Sequence, residues 1–295
     1  MFRTLFPAAL LALGYSACFA DAAPDASRVM VPVLVTTDRG APVAGLAREN
    51  FRLFEDSKEQ QITDFAVEHG PVSLGILVDT SGSMTKSFAS VAHGVASLLS
   101  DEVRGDEAFL VEFAAAAQVT VPFTGDSEKI IQQTLHEKPL GRTCLLDAID
   151  LGLRELQRAR NPRRAIVVFS DGGDNASHSS ERELRKSLAE SDVRLFVIGF
   201  FRQPSNRSPS REELEGPHLL KELAQETGGG LYWPERPDAL VRLGHLVATE
   251  LHTRYVLSYS PARSRNDGKT HIIRIKLTSP RGVGKLEASY RQTAR

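Results

Sequence analysis

Cysteine is scarce in this sequence of 295 residues: Cys18 and Cys144 are the only two. Two thiols exclude a disulfide-dense scaffold and any zinc site built from four cysteines. The eight histidines fall in no HExxH or other zinc spacing. An excess of either charge is also lacking. Lys and Arg total 36 against 37 for Asp and Glu, a formal net charge of -1, so the basic surplus of a dedicated nucleic-acid binder is missing. With 41% hydrophobic and 25% charged residues, the composition also excludes an acidic, disordered chain. Beyond the N-terminus no apolar run is long enough to cross a membrane. These absences leave a globular protein of one large α/β domain, or one domain and a small companion.

The N-terminus itself reads as an export signal. Arg3 precedes an apolar run over residues 5–20 that ends in small residues ahead of Asp21-Ala22-Ala23. The run is shorter than a spanning helix and has the layout of a secretory signal peptide, residues 1–20, with cleavage after Ala20 or Ala22. Ser16-Ala17-Cys18 partly fits a bacterial lipoprotein signal, although Tyr15 stands where Leu is usual. Cys18 is thus a candidate lipid anchor if it is kept. If it is removed, Cys144 is the last cysteine and no intramolecular disulfide can form. The expected location is periplasmic, cell-envelope or extracellular.

Three regions follow. Residues 28–68 carry short β-like runs at 28–36, 51–55 and 61–67, with Asp38-Arg39-Gly40 as a turn and residues 56–59 as a separator. From 72 to 251 strands alternate with helices. The runs 72–78 (VSLGILV) and 165–169 (AIVVF) are continuously apolar, as expected of strands covered on both faces. Leu145, Leu146, Ile149, Leu153 and Leu156 recur at helical spacing, and 240–251 forms a last helix. This alternation predicts a mainly parallel sheet with helices on both faces, an α/β fold. Residues 254–291 return to β. A small β domain built from both chain ends, 28–68 packing with 254–291, is favoured over two separate three-stranded units with little core. Residues 203–216, polar and rich in Ser, Pro and Arg, read as an exposed loop.

Each of the two strongest strands stops at a carboxylate. The first runs into Asp79-Thr80-Ser81-Gly82-Ser83 and the second into Ser170-Asp171-Gly172-Gly173. Ligands of open parallel sheets bind outside the carboxyl ends of strands, so both aspartates reach the functional edge. Two like charges held there repel, and a divalent cation between them would relieve this. Asp79 offers an anionic oxygen, and Ser81 and Ser83 offer neutral hydroxyls. Thr143, in the loop before the Leu145 helix, offers a third hydroxyl. An all-oxygen set with few charges suits Mg²⁺, with Mn²⁺ or Ca²⁺ as alternatives, and does not suit zinc.

Asp79-x-Ser81-x-Ser83, Thr143 in Gly-x-Thr-x-x-x-Asp-Ala, and Asp171 in Ser-Asp-Gly together resemble the metal-ion-dependent adhesion site of von Willebrand factor type A (VWA) domains, over residues 72–251. The flanks, 43–56 and 255–261 followed by Asp267-Gly268-Lys269, resemble those of a bacterial VWA-related family known largely from Acidobacteria. The resemblance implies a Rossmann-like VWA fold and a site of Asp79, Ser81, Ser83, Thr143 and Asp171. Thr143 would bind directly when ligand is engaged, and Asp171 often through water. It implies a binding protein, not an enzyme, which captures a protein ligand through an Asp or Glu carboxylate. In relatives that step can shift the last helix, which here would be residues 240–251.

Other readings are weaker. Residues 76–81 are similar to the hydrophobic-Asp-Thr-Gly run of aspartic proteases, but Ser81 replaces the Gly and the α/β pattern is wrong for that fold. A metal-assisted hydrolase needs a general base, and the three motif loops show no His or spare Glu. A structural scaffold with a non-functional metal site is the third alternative. Asp147, Asp174 and Asn175 read as turn and helix-start residues. Cys144 reads as a small buried residue, His178 as a surface residue, and Arg154, Arg158, Arg160, Arg163 and Arg164 as a solvated basic patch. Residues 203–216 and 175–182 are the candidates for partner specificity.

Overall fold

The structure is a computed structural model that describes residues 28–37, 43–100, 103–136, 139–200, 211–234, 239–261 and 270–294. The segment expected to be a signal peptide and Cys18 therefore lie outside the described residues, as does the turn expected at 38–40.

The described residues open with four strands, β1 (Val29–Thr37), β2 (Phe51–Glu55), β3 (Lys58–Gln60) and β4 (Asp64–His69). An α/β region follows: β5 (Ser73–Asp79), α1 (Phe88–Leu99), β6 (Glu107–Phe113), β7 (Ala117–Thr124), α2 (Ser127–His136), α3 (Leu145–Glu155), β8 (Arg164–Ser170), α4 (Glu181–Glu190), β9 (Arg194–Gly199), α5 (Arg211–Glu226), β10 (Leu231–Tyr232) and α6 (Ala239–His252). Four strands close the chain: β11 (Thr253–Tyr259), β12 (His271–Leu277), β13 (Leu286–Tyr290) and β14 (Thr293–Ala294).

The six middle strands form one sheet in the order β10-β9-β8-β5-β6-β7. All neighbours are parallel except β6 and β7. Every residue of β5 and of β6 is buried, which is why their sequences are apolar runs and not alternations. One face packs Ile76, Val78, Val167 and Phe169 against α1 and α6, through Val91, Val95, Leu240 and Val247. The other packs Leu77, Val111, Ile166 and Val168 against α3, α4 and α5, through Ile149, Leu184 and Leu220. Helices α1 and α6 approach closely at Gly94 and Gly244. A Cβ on Gly244 would stand 2.7 Å from the Gly94 carbonyl oxygen and 2.8 Å from the Leu98 nitrogen.

Strands from the two chain ends interleave. One sheet has the order β13-β1-β11-β4 and the other β14-β12-β2-β3. The pairs β1/β11, β4/β11 and β2/β12 are antiparallel and join residues some 200 positions apart, as in Val31 opposite Leu257 and Leu53 opposite Ile275. The core between them holds Val33, Leu53, Tyr255, Leu257 and Ile273. Buried Tyr255 packs on Phe51 and Phe65 and donates its hydroxyl to the Val43 carbonyl at 2.8 Å. The architecture read from the sequence, a mainly parallel α/β sheet with β structure from both ends, is the one observed.

Several local expectations are corrected. Residues 58–60 form β3 where a separator was expected, because Asp56 and Ser57 adopt positive φ (45° and 68°) and close a two-residue hairpin. Strand β4 then begins at Asp64, three residues later than expected. Within the expected loop 203–216, residues 211–216 are the first turns of α5, and the rest lies outside the described residues. The basic cluster is not a solvated patch throughout. Arg160 bonds the buried Glu107 at 2.7 Å, and Arg163 is 6% exposed, donating from Nη1 to the carbonyls of Gly70 and His252 at 3.0 Å each.

Candidate metal centre

The sheet order places the site. Strand β5 lies between β8 and β6; the chain leaves β5 toward β6 and leaves β8 toward β9, in opposite directions, so a crevice opens at the carboxyl ends of β5 and β8. Val78 pairs with Phe169, which brings Asp79 beside Ser170 and one residue short of Asp171. The aspartates read from the sequence thus emerge from adjacent strands.

Asp79 is fully buried. Its Oδ1 accepts the Ser81 amide at 2.9 Å and its Oδ2 accepts the Ser170 hydroxyl at 2.7 Å. Burial pushes its pKa up to about 6, and the charge of Asp171 adds to that push against the opposing hydrogen bonds from Ser81 and Ser170. The Ser81 and Ser83 hydroxyls stand 3.0 Å apart. Ser81 is buried, while Ser83 is exposed in a short 3-10 turn, Gly82–Lys86. Asp171 is half-buried, at the edge of the crevice.

Thr143 reaches the same place through backbone bonds. The Leu140 amide donates to the Thr80 carbonyl at 2.8 Å, and the Gly82 amide donates to the Gly141 carbonyl at 3.2 Å. Gly141 has φ +94°, a conformation that only glycine adopts without strain. Thr143 is buried. Its amide donates to Asn175 Oδ1 at 3.0 Å, and its carbonyl accepts the amides of Asn175 and Ala176. None of these bonds uses its hydroxyl. The Thr143 loop is therefore fastened to the Asp79 loop on one side and to the loop after Asp171 on the other.

The neighbouring acidic residues carry that fastening. Asp147 accepts the amides of His178 and Ser179 at 3.0 and 2.8 Å, and these bonds hold its pKa down to about 2 despite burial. Asp174 accepts the Leu145 amide and the Ser177 hydroxyl, covering the start of α3. Their expected turn and helix-start roles are the observed ones. Cys144 is buried, and burial pushes its thiol up to about 11, which makes it a poor nucleophile.

Sequence reasoning missed three contributors. Ser170 stands within Ser-Asp-Gly, and nothing in that local sequence signals its bond to Asp79. Asn175 reads as a turn residue in sequence but bridges two loops. Gly216 of α5 is buried against the Asp171 loop so tightly that a Cβ would overlap the Gly172 carbonyl. Nothing in local sequence flags Gly216, because the contact joins positions 44 residues apart.

The donor set fits a hard divalent cation. It combines two carboxylates with three hydroxyls and contains no thiolate or imidazole. Asp79 also sits buried beside a second carboxylate, an arrangement that a cation would relieve. Among the described residues no cluster of three or more His, Cys, Asp or Glu side chains offers another metal site.

Residues 74–173 match the family model for the von Willebrand factor type A domain. A solved von Willebrand factor type A structure from Catenulispora acidiphila superposes with a TM-score of 0.52 at 12% identity, covering 80% of this chain and 73% of that one. Proximal thread matrix protein 1 from the mussel byssus gives 0.51 at 14% identity, over 67% of this chain and 51% of its own. An uncharacterised protein of Borreliella burgdorferi is 27% identical over 141 residues, 43% of this chain; the chain spans only 41% of that relative's length. The chain thus has a VWA-like fold, and its residues 74–173 are similar to the von Willebrand factor type A domain. Domains of this class generally mediate protein–protein interaction.

Proposed function

We propose that this chain is an exported, non-catalytic recognition protein whose VWA domain holds one divalent cation and captures a protein ligand through an Asp or Glu side chain. Asp79, Ser81, Ser83, Thr143 and Asp171 would hold the cation, with Mg²⁺ the first choice and Mn²⁺ or Ca²⁺ alternatives. The observation that supports this reading is that the three loops bearing these five oxygen-carrying residues are hydrogen-bonded to one another at the carboxyl edge of β5 and β8. The cation would supply a Lewis-acidic position for an oxygen from outside. With hydroxyls for most of the donors, the protein leaves much of the cation's charge uncompensated, which favours an incoming carboxylate.

Export rests on the signal-like residues 1–20, with Cys18 a candidate lipid anchor. No helix among the described residues is long and apolar enough to cross a membrane. N-terminal sequencing of protein recovered from cell envelope and medium tests this part. The binding claim is tested with immobilised protein and cell-envelope extract. Partner capture is expected with Mg²⁺, is lost with EDTA, and is absent for Asp79→Ala. Capture that is indifferent to EDTA and to Asp79→Ala would overturn it in favour of a scaffold. Turnover of phosphate or carboxylic ester substrates that depends on Asp79 would overturn it in favour of a hydrolase.

A further inference from the structure

The carboxyl edge of the central sheet carries an aromatic side chain that the metal centre does not use. The sequence holds one tryptophan, Trp233, and it follows β10 directly. Strand β10 is parallel to β9, β9 to β8 and β8 to β5, and the register links Tyr232 to Ile198, Ile198 to Phe169 and Phe169 to Val78. Trp233 and Asp79 are each the next residue on, so both leave the sheet at the same level. Three inter-strand steps of about 4.8 Å set them roughly 14 Å apart along the edge.

The neighbouring aromatic residues are turned inward and Trp233 is not. Tyr232 stacks on Phe196 with ring centroids 6.5 Å apart and donates its hydroxyl to buried Glu250. Phe200, which follows β9, packs against the α1 and α6 face, and its amide donates to the Ser170 carbonyl at 3.0 Å. Trp233 is 48% exposed. Tryptophan is highly buried on average, yet half of this one faces solvent at the edge where the cation would sit. The covered half limits the motion of the ring, so little conformational freedom is left to lose when the other half is covered. A structural role at the end of β10 accounts for the covered half only.

The size of a docked protein brings Trp233 into play. A partner held by one carboxylate on one cation must cover more than that point. Standard interfaces cover about 800 Å² on each partner, a patch of roughly 16 Å radius, and a patch centred on the cation site reaches Trp233. Covering the exposed indole removes apolar surface from water, and tryptophan is enriched among the few residues that dominate such interfaces. We infer, resting on the cation-site reading, that Trp233 is a second contact for the partner and sets its specificity: beside the acidic residue taken by the cation, the partner presents a large apolar side chain to the indole. In an extended segment, at about 3.3 Å per residue, the two side chains stand about four residues apart.

Selection of random linear peptides on the immobilised protein in Mg²⁺ tests this. The wild type should select peptides that pair an Asp or Glu with a Leu, Ile, Phe or Met about four residues away. Trp233→Ser should keep the acid and lose the apolar preference, while Trp233→Phe should keep both. A selected peptide should bind the wild type at least about 10-fold more tightly than a copy with Ser in place of its apolar residue, and Trp233→Ser should bind the two alike. Because the chain has one tryptophan, its emission reports the contact without any variant: the selected peptide should shift it to the blue and the Ser copy should not. An acid preference with no apolar one, an apolar preference that survives Trp233→Ser, an unshifted emission, or no selected peptide at all overturns the inference. Its failure is distinct from failure of the cation site. Acid selection that EDTA abolishes, without an apolar preference, removes the Trp233 contact and keeps the cation. Apolar selection that depends on Trp233 but ignores EDTA and Asp79→Ala removes the cation and keeps the contact.

Discussion

Asp79 is a carboxylate that folding alone would not place where it stands. A buried acid next to Asp171 costs stability whenever it is ionised, and the rise from an ordinary 3.8 to about 6 corresponds to roughly 3 kcal/mol. The folded state binds the proton more tightly than the unfolded state. In EDTA, stability should therefore fall as pH rises from about 4 to 6 and stay low above that. Asp79→Asn keeps the shape, removes the charge and lacks this slope. At pH 8 in EDTA it should be about 1–3 kcal/mol more stable than the wild type by urea unfolding, while losing the stabilisation that Mg²⁺ gives the wild type. A variant less stable than wild type under metal-free conditions would show that Asp79 is held for folding and not for a cation. The five residues proposed to hold the cation stand out in sequence because their chemistry is written locally, as hydroxyls at alternate positions after a buried strand and a carboxylate after another. Ser170 and Asn175 do not, because their roles exist only where separate loops meet.

At the scale of elements, the site depends on how α5 and the α3 loop are seated. Gly216 lets α5 touch the backbone of the Asp171 loop. Gly216→Ala should push that loop aside, weakening Mg²⁺ affinity about 10-fold or more while costing about 1–3 kcal/mol in stability. Calorimetry and urea unfolding of the same sample separate the two effects, and unchanged metal affinity would show that α5 does not position Asp171. The long apolar strands and the amphipathic helices were legible because burial on one or two faces imposes a period. The hairpin at Asp56-Ser57 was not, since it depends on two non-glycine residues accepting positive φ, which the pairing of β2 with β3 enforces. The start of α5 was hidden by a composition that reads as loop.

Across the whole molecule, the α/β region and the β strands of the chain ends are joined at two crossings, one before β5 and one between α6 and β11. Arg163 bonds both, through Gly70 and His252. Arg163→Met removes those bonds and leaves two carbonyls unsatisfied, so it should cost about 2–3 kcal/mol. Unfolding followed by tryptophan fluorescence and by far-ultraviolet circular dichroism should then separate into two transitions where the wild type shows one. Coincident transitions in the variant would mean that Arg163 does not couple the regions. Helix α6 lies between that crossing and α1, the helix that follows the Asp79 loop, so the same tie joins the proposed metal centre to the β strands. The account as a whole rests on that centre. Isothermal titration of Mg²⁺ into EDTA-stripped protein, beside Thr143→Val, tests it most directly. One saturable site per chain, weakened about 10-fold or more by Thr143→Val, is the predicted result. No saturable uptake by the wild type, or equal affinity in the variant, would contradict it.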